Sequence, residues 1–165
     1  MTDFSALYRK HAPDVFRFAL YLCGDRAEAE DITSETFVRA WTSPEPIRAA
    51  TVRAYLFTIA RNLFRQGLRR TNRQVDLPED LHDPQPDPHV QAEQKGELRA
   101  VLAGLQGLPE IDRAALVMRA FSGMPYEEIA QALGISVAAA KVKVHRARLA
   151  LSQLRRPERS PGGTT

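Results

Sequence analysis

The stretch from Pro125 to Leu154, PYEEIAQALGISVAAAKVKVHRARLALSQL, decides how this chain is read. Tyr126, Ile129, Ala130 and Leu133 recur at about 3.6 residues, the period of a helix with one apolar stripe. Gly134 supplies the backbone freedom that a sharp break after a helix needs. Ile135 then packs the turn, and Ser136 is suited to cap the helix that follows. That second helix is expected to bury Val137, Ala140, Val144 and Ala147, and to expose Lys141, Lys143, His145, Arg146 and Arg148, with no acid before Glu158. A basic helix held at a steep angle by a short glycine turn suits a DNA major groove. A solvated charged helix packed on an amphipathic partner is the plainer alternative, and the Gly-Ile-Ser turn tips the balance toward DNA.

Composition bounds the class. A chain of 165 residues allows one domain or two small ones, and a hydrophobic share of 44% is ample for packed cores. Net charge is only +3, yet the pI is about 9.3, and the charges lie in separate blocks. Segregated blocks fit a protein that meets both nucleic acid and a protein partner. The single Cys23 excludes an internal disulfide and, with four scattered histidines, leaves no zinc cluster. No metal and no cofactor are expected. No signal peptide precedes the first helix, and no apolar run approaches membrane-spanning length, so a cytoplasmic protein without membrane insertion is expected.

The chain divides at residues 74–94, which hold Pro78, Pro84, Pro86 and Pro88 and six acids without a Lys or Arg. Proline at that density blocks helix, and like charges repel and extend the segment. Helical periodicity governs both flanks and no sustained alternation suggests a strand. The expectation is an all-α protein of two small helical domains, an N-terminal bundle and a C-terminal helix-turn-helix domain, joined by a flexible acidic linker. The expected boundaries are 1–73, a linker at 74–96, 97–156, and a disordered tail at 157–165. In the first domain, helices are predicted over Phe4–Leu22, with Pro13 a candidate interruption, over Ala27–Trp41 and over Val52–Arg70. Predicted core positions are Leu7, Val15, Phe18, Ala19 and Leu22, then Ile32, Phe37, Ala40 and Trp41, then Leu56, Ile59, Ala60 and Leu63. Helices over Glu97–Leu108 and Pro109–Phe121 precede the opening motif.

Two helices of the first half carry opposite charge. Between Pro46 and Val75 there is no acid, but there are seven arginines, among them Arg61, Arg65 and Arg69 at four-residue spacing. Asn62 and Gln66 lie beside them, able to bond base edges, and Tyr55, Phe57 and Phe64 interleave aromatic rings. Cations, amides and flat rings together suit single-stranded or distorted DNA, although Phe57 and Phe64 fit an ordinary core equally well. The preceding helix clusters Glu28, Glu30, Asp31 and Glu35 beside Ser34 and Val38. Acids near a helix start favour the dipole, but Asp31 and Glu35 lie on one face further in, and an acidic face attracts a basic protein surface.

With these faces placed, the chain resembles the extracytoplasmic-function (ECF) sigma factors, two-domain specificity subunits of bacterial RNA polymerase. AEDITSETFVRAW, AYLFTIARNLFRQGLRR, LPEIDRAALVMRAFSGMPYEEIAQALGIS and KVHRARLAL carry the resemblance, in that order, across Phe4 to Leu154. It implies a transcription initiation factor rather than an enzyme. Asp31, Ser34, Glu35 and Val38 would meet the clamp of the polymerase's largest subunit, and the second domain would meet the flap. Arg61, Asn62, Arg65, Gln66 and Arg69 would engage and help melt the −10 promoter element, with a flipped base held in the loop 42–50. Ser136, Lys141, Lys143, His145, Arg146 and Arg148 would meet the −35 element. An anti-sigma factor is a further implied partner. Three positions depart from the family's pattern: Ser34 replaces a common glutamine, Tyr55 a common tryptophan, and Ala138 to Lys143 reads AAAKVK where Gly-Thr-Val-Lys-Ser-Arg is usual. The last change favours phosphate contact over base reading, since lysine lacks arginine's bidentate fork. An autonomous helix-turn-helix regulator with a sensing or dimerising N-terminal bundle explains the opening motif, but leaves the arginine-rich helix and the acidic segment without a role.

Overall fold

Asp25 starts the second helix by accepting a hydrogen bond from the backbone N–H of Glu28 at 3.2 Å, directly after Gly24 has ended the first helix at φ 73°. Side-chain caps at Thr51 and Ser136 and a glycine stop at Gly134 repeat this logic elsewhere in the computed structural model. It describes residues 4–43, 51–73 and 88–155, with side chains over 4–43, 51–70 and 96–153. The helices are α1 (Phe4–Cys23), α2 (Arg26–Thr42), α3 (Val52–Arg73), α4 (Pro88–Gln106), α5 (Glu110–Leu116), α6 (Tyr126–Leu133) and α7 (Val137–Arg155). A π-helical segment, Val117–Phe121, continues α5. No strand occurs among the described residues. Of the predicted base-holding loop 42–50, Thr42 ends α2 and residues 44–50 lie outside the described residues, as do residues 74–87 of the linker, residue 156 and the tail 157–165.

In the N-terminal half, α1, α2 and α3 pack on one another. Val15, Phe18, Ala19 and Leu22 meet Ile32 and Phe37 of α2 and Leu56, Phe57, Ala60 and Phe64 of α3 in one buried cluster. Phe18 and Phe57 stack with ring centroids 4.4 Å apart. Helix α1 runs unbroken through Pro13. Proline in a helix interior costs about 3 kcal/mol, and ring contacts to either side of it, Tyr8 on Phe37 and Phe18 on Phe57, pack α1 against α2 and α3. Trp41 departs from its predicted burial and is 63% exposed. It sits in the last turns of α2, its ring centroid 4.6 Å from that of Phe4. Leu7, Ala40, Ile59 and Leu63 are half-buried.

In the C-terminal half, α7 lies across α5 and α6. Helix α4 begins at Pro88, ahead of the predicted Glu97 and inside the expected linker. A proline in the first turn has no N–H to lose, so the last proline of the acidic run starts a helix instead of blocking one. The halves also touch: α3 packs on α6, and α1 on α4, α5 and the π-helical segment. Leu105 and Leu108 extend the buried cluster from one half into the other.

Candidate nucleic-acid interface

The turn between α6 and α7 follows from three residues. Gly134 closes α6 at φ 68°, the N–H of Ile135 reaches back to the carbonyl of Ala130 at 3.0 Å, and Ser136 Oγ accepts from the N–H of Ala139 at 3.0 Å. Helix α7 then buries Ala140, Val144 and Ala147 completely or nearly so, with Val137 half-buried. Its outer face exposes Lys141, His145, Arg146 and Arg148, together with Val142 and Leu149, and the capping Ser136 before it is exposed as well. Lys143 differs from the expectation, being drawn partly inward with its Nζ 3.8 Å from the buried carboxylate of Asp112. Two cations lie near the Tyr126 ring, Arg119 at 4.3 Å from its centroid and Lys141 at 5.8 Å. Cation–ring contact of this kind limits where the two side chains can go.

The arginine row of α3 is divided by helix geometry. Four residues advance a helix by about 400°, so Arg61, Arg65 and Arg69 drift about 40° per step rather than stacking on one line. Arg61 is buried, its side chain 9% exposed, whereas Asn62, Arg65, Gln66 and Arg69 are exposed. Gln66 lies roughly 140° around the helix from Arg61 and faces the groove between α2 and α3. The aromatic rings placed among the arginines by sequence are mostly core. Phe57 and Phe64 are buried and Tyr55 is half-buried. Base stacking by the two phenylalanines is therefore excluded in this arrangement, because their faces are covered by other side chains.

Asp31, Ser34, Glu35 and Val38 come together along one wall of that open α2–α3 groove, with Leu63 and Arg70 opposite. Val38 is 52% exposed, an apolar point on an otherwise polar face. Glu35 Oε1 pairs with Arg39 at 3.3 Å on the surface, a contact that competes little with a partner. Burial, with the charges of Asp25 and Asp31, pushes the Glu28 carboxyl up, so this helix crowds negative charge and gains from a cation nearby.

Several residues that sequence reasoning passed over join the halves around Arg61. Its Nε and one terminal nitrogen donate to the two carboxylate oxygens of Glu110 at 2.7 and 2.9 Å. Arg113 is also buried and donates to the carbonyls of Leu22 and Leu108, while its guanidinium faces the Phe64 ring at 5.7 Å. Gln106 Nε2 donates to the same Leu22 carbonyl at 2.9 Å. That carbonyl is in the last turn of α1, where no intrahelical donor remains. The Gly24 turn packs against Gln106, whose amide nitrogen would lie 3.0 Å from any Cβ placed there. Nothing local marks Glu110 or Arg113 within LPEIDR as joining the halves, since Arg61 and the Leu22 carbonyl, their partners across the boundary, are 49 and 91 residues away. Among the described residues no group of three His, Cys, Asp or Glu side chains could hold a metal ion, and no helix is long and apolar enough to cross a membrane.

Two family models match the chain: Sigma-70 region 2 over residues 7–74 and Sigma-70, region 4 over residues 98–151. The chain is 36% identical to the ECF RNA polymerase sigma factor SigE of Mycolicibacterium smegmatis, over 90% of its own length and 60% of that relative's. It is 34% identical to the ECF RNA polymerase sigma factor SigL of Mycobacterium tuberculosis, over 90% of its own length and 89% of SigL. Among solved structures it resembles the sigma factor RpoE in complex with the anti-sigma factor NepR, from Bartonella quintana, with TM-score 0.76 and 25% identity, covering 96% of this chain and 100% of that one. It also resembles CnrH in complex with the cytosolic domain of CnrY, with TM-score 0.71 and 27% identity, covering 92% and 86%.

Proposed function

We propose a division of labour among the surfaces of this chain, which belongs to the extracytoplasmic-function RNA polymerase sigma factors of the sigma-70 family. It is a transcription initiation factor that binds core RNA polymerase and directs it to promoters. Its contribution is binding and positioning, and the chemistry of RNA synthesis belongs to the polymerase. The first half, 1–73, serves polymerase binding and the −10 element, and the second, 97–156, serves the −35 element. The polymerase clamp docks on the wall formed by Asp31, Ser34, Glu35 and Val38. Asn62, Arg65 and Arg69, joined by Arg61 once it is released from Glu110, hold the −10 strand. Gln66 stands between the two functions, since it faces the same groove as the polymerase wall. The helix α7 residues Lys141, Arg146 and Arg148, with Ser136 and His145, hold phosphates at −35, and Lys143 contributes after leaving Asp112. The flap of the polymerase meets the C-terminal half, an anti-sigma protein is a further partner, and the cytoplasm is the place of action.

One observation carries this division: the acidic, apolar-punctuated wall of α2 lines the α2–α3 groove, whereas the exposed Arg65 and Arg69 of the adjacent α3 lie outside that groove. Charge of one sign repels DNA and attracts a basic protein, and charge of the other sign does the reverse. Run-off transcription with purified core polymerase tests it. Asp31→Lys with Glu35→Lys should weaken polymerase binding at least tenfold. Asn62→Ala with Arg65→Ala should leave that binding within about twofold and slow open-complex formation. If both pairs of changes weaken polymerase binding equally, the division is wrong. Tight sequence-specific duplex binding by the isolated chain would instead favour an autonomous regulator.

A further inference from the structure

Arg61 and Glu110 form a two-pronged ion pair across the boundary between the halves, with bond lengths of 2.7 and 2.9 Å and side chains only 9% and 20% exposed. A guanidinium fork fits a carboxylate and a DNA phosphate with the same planar geometry, so it cannot serve both at once. Other ties surround the pair. Arg113 and Gln106 both donate to the Leu22 carbonyl, and Arg53 donates to the Ser122 carbonyl at 2.9 Å. Thr51 Oγ1 caps α3 by accepting from the N–H of Ala54 and donates to Glu128 across the boundary at 3.3 Å. Tyr21 stacks on Phe121 with centroids 4.3 Å apart. Apart from the Thr51 cap, each of these contacts joins the α1–α3 half to the α4–α7 half. About 14 residues separate Arg73 from Pro88, a covalent reach of roughly 50 Å when extended, so the tether permits the halves to part.

We propose that the free chain holds itself shut through this seam, with Glu110 occupying the place of a DNA phosphate on Arg61, so that the covered face of α3 meets single-stranded DNA only after the halves separate. The proposal rests on the −10 role given to Arg61 above. The pair is suited to a latch because its two states differ in solvation. In the open state both charges return to water, whereas in the closed state a lone or like-charged partner would be stranded in a dry seam. Damage to Glu110 therefore disfavours closure without a matching cost to the open chain. Polymerase, by holding the two halves on separate surfaces, would supply the free energy of separation, and the ties to main-chain carbonyls would be exchanged for water.

The test uses the full chain with Cys23→Ala and dyes attached at Lys10→Cys and Ser152→Cys, both exposed positions on opposite halves. Single-molecule energy transfer reports closure, and circular dichroism reports folding. The otherwise unchanged labelled chain should show mainly high transfer. Glu110→Arg should move most molecules to low transfer, Glu110→Gln should move a smaller share, and Arg61→Glu with Glu110→Arg should restore high transfer by reforming the pair with its charges exchanged. Unchanged transfer in Glu110→Arg, or in Glu110→Gln should the arginine variant fail to fold, would overturn the latch. So would an exchanged pair that stays open. Binding of a single-stranded deoxyoligonucleotide of mixed sequence is measured in parallel. Glu110→Gln should tighten it about tenfold, and Arg61→Gln added to that variant should abolish the gain. If the chain opens but Arg61→Gln leaves oligonucleotide binding untouched, the latch stands and the DNA role of Arg61 fails.

Discussion

Cys23 sits at the end of α1 with its thiol donating to the Asp25 carbonyl at 3.2 Å, and burial pushes its pKa up to about 12. The thiolate is the reactive form, so at pH 8 the folded chain should alkylate on the order of a thousandfold more slowly than an ordinary free thiol. Iodoacetamide labelling with and without denaturant checks this, and equal rates would mean that the thiol is not held as described. Cysteine is by type a small and commonly buried side chain, and the half-buried, hydrogen-bonded thiol is close to that. Arg61 is the opposite case. Its place in an unopposed arginine row pointed to an exposed cation, and no nearby acid in the sequence suggested otherwise. The acid arrives from Glu110, a residue whose approach depends on how two halves of the chain meet.

At the scale of elements, the helix-turn-helix was the most legible part. Its stop and start signals act over a few residues, through a positive φ at Gly134 and a hydroxyl cap at Ser136. No atom lies within 4 Å of a Cβ placed on Gly134, so Gly134→Ala meets only backbone strain. It should cost about 1 kcal/mol. Ser136→Ala should also cost about 1 kcal/mol through loss of the cap. Urea denaturation measures both, and a loss above about 3 kcal/mol in either would mean that the turn also carries packing beyond its backbone conformation and cap. The arginine helix was less legible. Periodicity correctly placed Leu56 and Ala60 inside, but Phe57 and Phe64 were equally compatible with a base-stacking face. Which of those held depended on α1 and on the C-terminal half, since Phe18 covers Phe57 and Arg113 lies against Phe64. Trp41 erred the other way, because an indole near a helix end is buried only if a neighbouring element extends that far.

For the whole molecule, the buried cluster runs through both halves, and the seam adds directional bonds to it. Equilibrium unfolding in urea should therefore show one transition. Trp41 fluorescence, which reports only the N-terminal half, should coincide with far-ultraviolet circular dichroism, which reports both. Separated midpoints would show that the halves unfold independently and that the seam contributes little. The expected organisation was two helical domains joined by a flexible acidic linker at 74–96; helix α4 begins within that span, at Pro88, and the buried cluster continues from one half into the other.

The sequence by itself determined that this chain is helical, where most of its helices begin and end, and which family it joins. Those properties arise from periodicity, caps, glycine stops and the order of motifs, all of which act between residues close in the chain. It also assigned the acidic wall of α2, because Asp31, Ser34, Glu35 and Val38 share one face of one helix. Only the tertiary structure decided which cations are free to bind. Arg61 and Lys143 are held by Glu110 and Asp112, while Arg65, Arg146 and Arg148 are exposed. The physical reason is that availability of a charge depends on desolvation and on partners brought from distant segments, and neither is encoded in the spacing of the residue that carries the charge.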